Sequence, residues 1–150
     1  MIHVAAASLV LMFAVPAAMA QTAAFQESLD VSVEAASDAG VVHIVRGSEE
    51  TVWLPLVRGN VTDLTVLDAG GNDIPHMMEN HTISIGPSES EVTVRYVMRG
   101  VLAQEGNMWV WDFLYPDATR FFFAEEIDTI YSNQRPVYWE ERASGATAAR

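Results

Sequence analysis

The chain has 150 residues, enough for one domain of ordinary size, and carries 20 Asp and Glu against 8 basic residues, all of them arginine. The formal net charge of −12 argues against binding to a nucleic acid or to an anionic membrane surface. Because the sequence has no cysteine, disulfides, thiolate metal sites and cysteine nucleophiles are excluded, and stability must come from a packed core.

Residues 1–20 have the features of a signal peptide. The apolar centre ends at Pro16, and Ala18-Met19-Ala20 offers the small-x-small pattern that a signal peptidase recognises. We therefore predict cleavage before Gln21 and a secreted or cell-surface protein. The alternative is an uncleaved anchor, because the segment is long enough to span a bilayer and no Lys or Arg precedes its apolar centre. Membrane contact is expected only through this segment, if it is retained.

Between residues 27 and 140, short segments of alternating apolar residues recur between turn signals. The alternation is clearest in the first of these segments, 28–35, and in 91–99, and no helical period is present. Pro55 predicts an edge position or a bulge for its strand, because proline cannot donate a ladder hydrogen bond. The pattern predicts an all-β, antiparallel β-sandwich of about eight strands over residues 27–140, followed by a flexible C-terminal tail at 141–150.

The aromatic residues concentrate in one stretch, since seven of the fourteen Phe, Trp and Tyr residues lie in 108–123. We interpret this stretch as a two-stranded ribbon that turns at Pro116-Asp117 and pairs Trp111 with Phe123. Both faces of such a ribbon are apolar. One face fills the core, and the other must be covered by the chain itself, for which we favour 100–107 and 137–139, or by another molecule. The candidate interaction residues are Trp109, Val110, Trp111, Leu114 and Phe122.

One cluster has metal-ligand character, the run His76-Met77-Met78-Glu79-Asn80-His81. His76 and His81 are weak candidates for copper or zinc ligands, with His43 as a third imidazole. Their spacing matches no metal motif. The plainer interpretation is a polar loop that places Met77 or Met78 in the core, and we expect no cofactor.

Two triplets, Asn60-Val61-Thr62 and Asn80-His81-Thr82, match the N-glycosylation sequon, and each lies beside a turn. The sequence contains no G-x-S-x-G, H-E-x-x-H, P-loop or dinucleotide fingerprint. Glu125 and Glu126 are adjacent, so in a strand they would point to opposite faces and would not form an acid/base pair. We therefore expect a non-catalytic protein.

One part of the chain resembles a known class of module. The run Val66-Leu67-Asp68-Ala69-Gly70-Gly71-Asn72-Asp73-Ile74-Pro75, followed by Ile83-Ser84-Ile85 and Val92-Thr93-Val94-Arg95-Tyr96, resembles exported immunoglobulin-like modules of prokaryotic, especially archaeal, cell-surface proteins. The resemblance implies an immunoglobulin-like fold at the cell envelope. We expect a protein partner there. The alternative is a module that binds carbohydrate through exposed Trp side chains or, with less support, copper.

Overall fold

The computed structural model describes residues 21–34, 37–127, 130, 138–142 and 145–149, the last two ranges as backbone only. Within these residues the chain is all-β, with twelve strands and no helix, which confirms the predicted class. It follows that none of the described residues belongs to a helix long and apolar enough to cross a membrane. The predicted signal peptide, 1–20, lies outside the described residues.

The strands are short, with three to nine residues each. They are β1 (Gln26–Val33), β2 (Ala39–Val45), β3 (Val52–Pro55), β4 (Asn60–Asp68), β5 (His76–Glu79), β6 (Thr82–Ile85), β7 (Val92–Arg99), β8 (Ala103–Glu105), β9 (Met108–Val110), β10 (Arg120–Phe123), β11 (Tyr138–Arg142) and β12 (Gly145–Ala149).

The larger sheet has the strand order β11-β12-β10-β1-β2-β7-β4. All of its pairs are antiparallel except β1 with β10, where Val31 pairs with Phe121 and Val33 with Phe123 in parallel. The prediction of a wholly antiparallel sandwich is wrong at this pair. The connection between these parallel neighbours is residues 34–119, which run through β2 to β9 before Arg120 pairs with Asp30.

A smaller sheet has the order β3-β6-β5, and β8 pairs with β9 in a separate hairpin. Pro55 is the last residue of β3, an edge strand, which confirms the edge position predicted from that proline. The segment 76–79 was predicted as a loop and is instead strand β5. Met77 and Met78 are 67% and 48% exposed, so the prediction that one of them fills the core is wrong.

The two sheets share one core, which is consistent with the predicted β-sandwich. In β7, the four residues predicted to point inward are at most 2% exposed, and the inward residues of β1 are also buried. Strands β3 and β6 of the smaller sheet contribute the side chains that face them. The buried residues of β1, β3, β6 and β7 are Leu29, Val31, Val33, Val52, Leu54, Ile83, Ile85, Val92, Val94, Tyr96 and Met98.

The C-terminal residues 141–150 were predicted to form a flexible tail, but Gly145–Ala149 is strand β12. This strand pairs with β10, placing Ala149 opposite Arg120 and Thr147 opposite Phe122, and β11 pairs along its other side. The edge of β10 offers backbone N–H and C=O groups that can pair with any segment, whatever the side chains of that segment. A Gly- and Ala-rich segment with no apolar alternation can therefore still form a strand there.

Candidate functional site

The aromatic segment does not form the predicted two-stranded ribbon. Met108–Val110 pairs with β8, with Trp109 opposite Gln104, whereas Arg120–Phe123 lies between β1 and β12. Residues 111–119 are irregular and separate the two strands. The alternation that the prediction assumed through Tyr115 therefore ends at Val110, and the predicted pairing of Trp111 with Phe123 is wrong.

Four rings of this segment nevertheless pack together on the core-facing side of β10. Phe121 lies at the centre, with ring centroids 4.8 Å from Phe113, 6.1 Å from Trp111 and 6.0 Å from Phe123. The first two contacts are edge-on and the third is stacked, which are favourable geometries for aromatic pairs. We call these four residues the aromatic cluster. It extends the core past β1, so the chain itself covers the inner face of β10.

The β8–β9 hairpin makes few contacts with the other strands. Its turn places Gly106 at φ +63°, the left-handed region that type II′ turns require at their first central position. Both faces of the hairpin are solvent-accessible: Trp109 on one face is 60% exposed and Met108 on the other is 57% exposed. Leu114, in the irregular segment that follows, is 69% exposed.

The five candidate interaction residues therefore occupy four places. Trp109 and Val110 belong to the hairpin, and Val110 is half-buried. Trp111 is half-buried in the aromatic cluster. Leu114 is exposed in the irregular segment, and Phe122 lies half-buried on the outer face of β10 beside Ser32. They are separated because the chain leaves the strand conformation after Val110, and their role in an interaction stays a prediction.

Carboxylates surround the exposed apolar side chains. Glu105, Asp112 and Asp117 are all exposed, and they precede or follow Met108, Trp109 and Leu114 by a few residues. Arg120, which follows the irregular segment, is paired with Asp30, since its Nε and one terminal nitrogen donate to the two carboxylate oxygens at 2.7 Å each. The local charge around the hairpin is therefore negative.

A buried polar network lies at the centre of the sandwich and was not predicted. His43 is fully buried on β2, where its ring contacts the rings of Tyr96 and Tyr115. Since Gln26 Oε1 can only accept, His43 Nδ1–H donates to it at 2.6 Å, and the Nε2 lone pair accepts from the Tyr96 hydroxyl at 2.9 Å. The Tyr96 oxygen in turn accepts from the Val57 N–H at 3.0 Å.

The same network reaches Tyr115, in the middle of the irregular segment. The Tyr115 hydroxyl lies 2.8 Å from Gln26 Oε1 and 3.0 Å from the Pro55 carbonyl oxygen, so its single proton has two acceptors. Burial raises the pKa values of Tyr96 and Tyr115 above their ordinary value, and the charge of Asp117 adds to the effect at Tyr115. Both hydroxyls are therefore protonated donors at neutral pH.

Burial lowers the pKa of His43 to about 4, so the imidazole is neutral at physiological pH. A neutral histidine in contact with two tyrosines can suggest a proton relay. Here both ring nitrogens are occupied and the ring has no solvent exposure, so His43 connects β1, β2 and β7 and does not face a substrate. Its inward position was readable from the alternation of Val41, His43 and Val45.

The two histidines proposed as metal ligands lie apart. His76 is the first residue of β5, and His81 lies in the turn beyond the last, so a rise of about 3.3 Å per residue separates them by roughly 10 Å or more. His76 Nδ1 donates to the Ile74 carbonyl at 2.8 Å, and His43 is enclosed in the core. Among the described residues, no group of three or more His, Asp or Glu side chains is placed to hold a metal ion.

We therefore expect no heat of binding above the level of a His76→Ala/His81→Ala double variant when micromolar Cu²⁺ or Zn²⁺ is titrated into the protein. His76 Nδ1 is already bonded to the Ile74 carbonyl, and the described residues place no third ligand beside the two histidines, whereas a metal site needs at least three protein ligands. Isothermal titration calorimetry is the measurement. Micromolar binding that the double variant abolishes would contradict this expectation.

Both sequon asparagines are exposed. Asn60 begins β4, and Asn80 forms the β5–β6 turn with His81, at φ of +48° and +61°. Neither position is blocked by packing, and glycosylation stays a prediction. A scan against protein-family models and a search of curated proteins find no match to this chain.

Proposed function

We propose that the chain is an exported, non-catalytic, immunoglobulin-like β-sandwich module that makes protein–protein contacts at the cell envelope. The observation that carries the proposal is the exposed β8–β9 hairpin with Trp109 and Met108 on its opposite faces. Tryptophan and methionine are enriched at protein interfaces, and tryptophan is a frequent source of binding energy there.

The form of the hairpin supports a docking role. A two-stranded hairpin without a third strand or a covering layer is only marginally stable in water. Trp109 lies opposite Gln104, and Met108 lies opposite Glu105, so each face offers one large apolar side chain beside a polar one. A partner that covers either face would bury apolar surface and stabilise the hairpin.

The immunoglobulin-like architecture is supported by the way the chain alternates between sheets. β2 and β4 belong to the larger sheet, β3 and the β5–β6 hairpin to the smaller sheet, and β7 returns to the larger one. Such crossing between two facing sheets is the general connectivity of sandwiches of this type. Export is supported by the pattern of residues 1–20 in the sequence.

The test is a quantitative pull-down of the envelope fraction of the source cells with the purified protein and two variants. We expect Trp109→Ser to reduce capture of the principal bound protein at least about tenfold, as truncation of an interface tryptophan commonly does. Phe25→Ser is the matched control, since Phe25 is a similarly exposed aromatic residue (58%) outside the hairpin. Equal capture by all three proteins would contradict the proposal.

Carbohydrate binding is the second candidate, and the exposed indole of Trp109 is the observation that favours it. Trp111 does not extend this surface, because it packs edge-on against Phe113 and Phe121. If a glycan array binds the unchanged protein but not the Trp109→Ser variant, the ligand of the hairpin is a sugar and not a protein.

A further inference from the structure

The edges of the two sheets differ in how they are protected. The outer edge of β3 is covered by the chain preceding β1, since Ala24 N–H donates to the Trp53 carbonyl and Trp53 N–H to the Thr22 carbonyl, each at 2.9 Å. The edge of β4 is covered at one end, where Ile74 N–H donates to the Val66 carbonyl at 2.9 Å. At its other end β4 is interrupted by a bulge between 62 and 65. Bulges and covering segments are common ways of blocking a sheet edge.

Strand β5 has no such protection among the described residues. It ends the smaller sheet and pairs only with β6. All four of its residues are exposed, and neither a proline nor a bulge lies within it. An open edge of this kind is a template for an additional strand.

The residues whose backbone groups point outward can be identified from the pairing with β6. Gly86 N–H donates to the Pro75 carbonyl at 2.8 Å, so Pro75 faces β6. Because the direction of backbone groups alternates along a strand, Met77 and Glu79 also face β6, and His76 and Met78 point their N–H and C=O groups away from the sheet. No described residue accepts or donates a backbone hydrogen bond at these two positions.

The geometry points to β5 as a self-association site, at which β5 of a second copy of this chain adds antiparallel about a two-fold axis at Met77. Opposed residues in an antiparallel pair point to the same face of the sheet, whereas neighbours along one strand point to opposite faces. A two-fold axis between two neighbours would pair each with the other, so the axis must pass through a residue. An axis at Met77 places His76 opposite Met78 of the second copy. The N–H and C=O groups of His76 then bond to those of Met78 in the second copy, and the two-fold axis generates the same two bonds between Met78 and the His76 of the second copy.

A symmetric register with its axis at Met78 satisfies fewer groups. An axis at Met78 would oppose His76 to Asn80, which lies in the turn at φ +48° and cannot continue a strand. The second copy also matches β5 in length, because pairing beyond it stops at Pro75 on one side and at the turn on the other. These features favour a second copy over a longer foreign strand.

Side chains at the Met77-centred contact are compatible with self-pairing. Met77 meets its own mate at a position where Cα atoms are about 4.5 Å apart, so the two exposed methionine side chains come into contact on the outer face of the sheet. Glu79 lies two residues from the axis, so the two Glu79 positions are about 13 Å apart. That separation exceeds the screening length of about 8 Å at physiological salt, so the two carboxylates repel little.

The association is weak, because strands of four residues bury little surface and each copy carries a net charge of −12. Raising the salt concentration screens the long-range repulsion and is expected to strengthen the dimer.

Cysteine cross-linking tests both the contact and its register, since the chain has no cysteine of its own. We expect Met77→Cys to form a covalent dimer under mild oxidation, because a Cα separation of about 4.5 Å permits a disulfide. Glu79→Cys, on the same face and also exposed, should stay monomeric on a non-reducing gel. Equal cross-linking at both positions, or a dimer of Met78→Cys in place of Met77→Cys, would overturn the proposal.

Sedimentation equilibrium at raised salt supplies the second measurement. The average mass should increase with protein concentration, and Met77→Lys should weaken association at least about tenfold by placing like charges at the axis. Phe25→Lys, at an exposed apolar residue outside both β5 and the β8–β9 hairpin, is the control and should associate as the unchanged protein does. A monomer at every concentration up to about 1 mM, where weak interfaces are half-occupied, would refute self-association through β5.

Discussion

Lowering the pH from 7 to 5 is expected to reduce the free energy of unfolding by about 2 kcal/mol through His43 alone. The folded pKa of His43 is about 4, because burial disfavours the imidazolium, whereas the unfolded chain titrates near 6.5. The unfolded state therefore binds more protons between these two values. Stability is complete above pH 6.5 and is lost as the pH falls towards 4.

Urea unfolding at pH 7, 6 and 5 measures this loss. His76→Gln and His81→Gln are controls that should keep the slope, since both histidines are exposed. His43→Gln should flatten it. If that variant does not fold, the His43 ring protons of the unchanged protein give the answer by NMR, and titration of this ring near pH 6.5 would contradict the expectation. The pKa values of Asp38 and Asp68 are lowered by hydrogen bonds, so their contribution falls at still lower pH.

Phe121→Ala is expected to reduce the free energy of unfolding by about 2–3 kcal/mol. Truncating a fully buried phenylalanine costs about 3–5 kcal/mol. Phe121 is half-buried, so we expect a smaller cost. The ring contacts three other aromatic rings, and the cavity left behind would lie where β10 joins the core. Urea or thermal unfolding of the purified variant gives the value.

The matched control is Trp109→Ala, which removes a larger aromatic side chain from the same stretch of sequence. Trp109 is 60% exposed, so we expect a change within about 0.5 kcal/mol. The contrast separates a structural role for the aromatic cluster from a binding role for the hairpin. If the two variants lost similar free energy of unfolding, Trp109 would be packed as closely as Phe121, contrary to the structure.

Alternation of apolar residues predicted the strands that have one buried face and one exposed face. It located β1 and β7 and identified their inward residues, and Pro55 located an edge. It missed β5, because His-Met-Met-Glu has no alternation and both methionines are exposed. It also missed that the β5–β6 turn is formed by Asn80 and His81 at positive φ, where glycine would have been the clearer signal.

The parallel pairing of β1 with β10 could not be predicted, since no local pattern specifies which distant strand lies beside an edge. The same limit applies to the candidate site. The sequence showed that 108–123 is apolar on both faces, but only the tertiary arrangement separates the exposed Trp109 from the packed Trp111. The inward position of His43 was readable, whereas its contacts with Gln26 and Tyr96 bring together residues far apart in the chain.

The β1–β10 pair also determines when the molecule can complete its folding. Asp30 and Arg120, paired across these strands, are 90 residues apart in the chain. At a synthesis rate of about 5–20 residues per second, roughly 5–20 seconds pass between the appearance of β1 and that of β10. During this interval β1 has β2 on one side and an unpaired edge on the other. Contacts between distant residues also form slowly, so the nascent chain is most prone to aggregation, and most in need of a chaperone, before Phe123 is made.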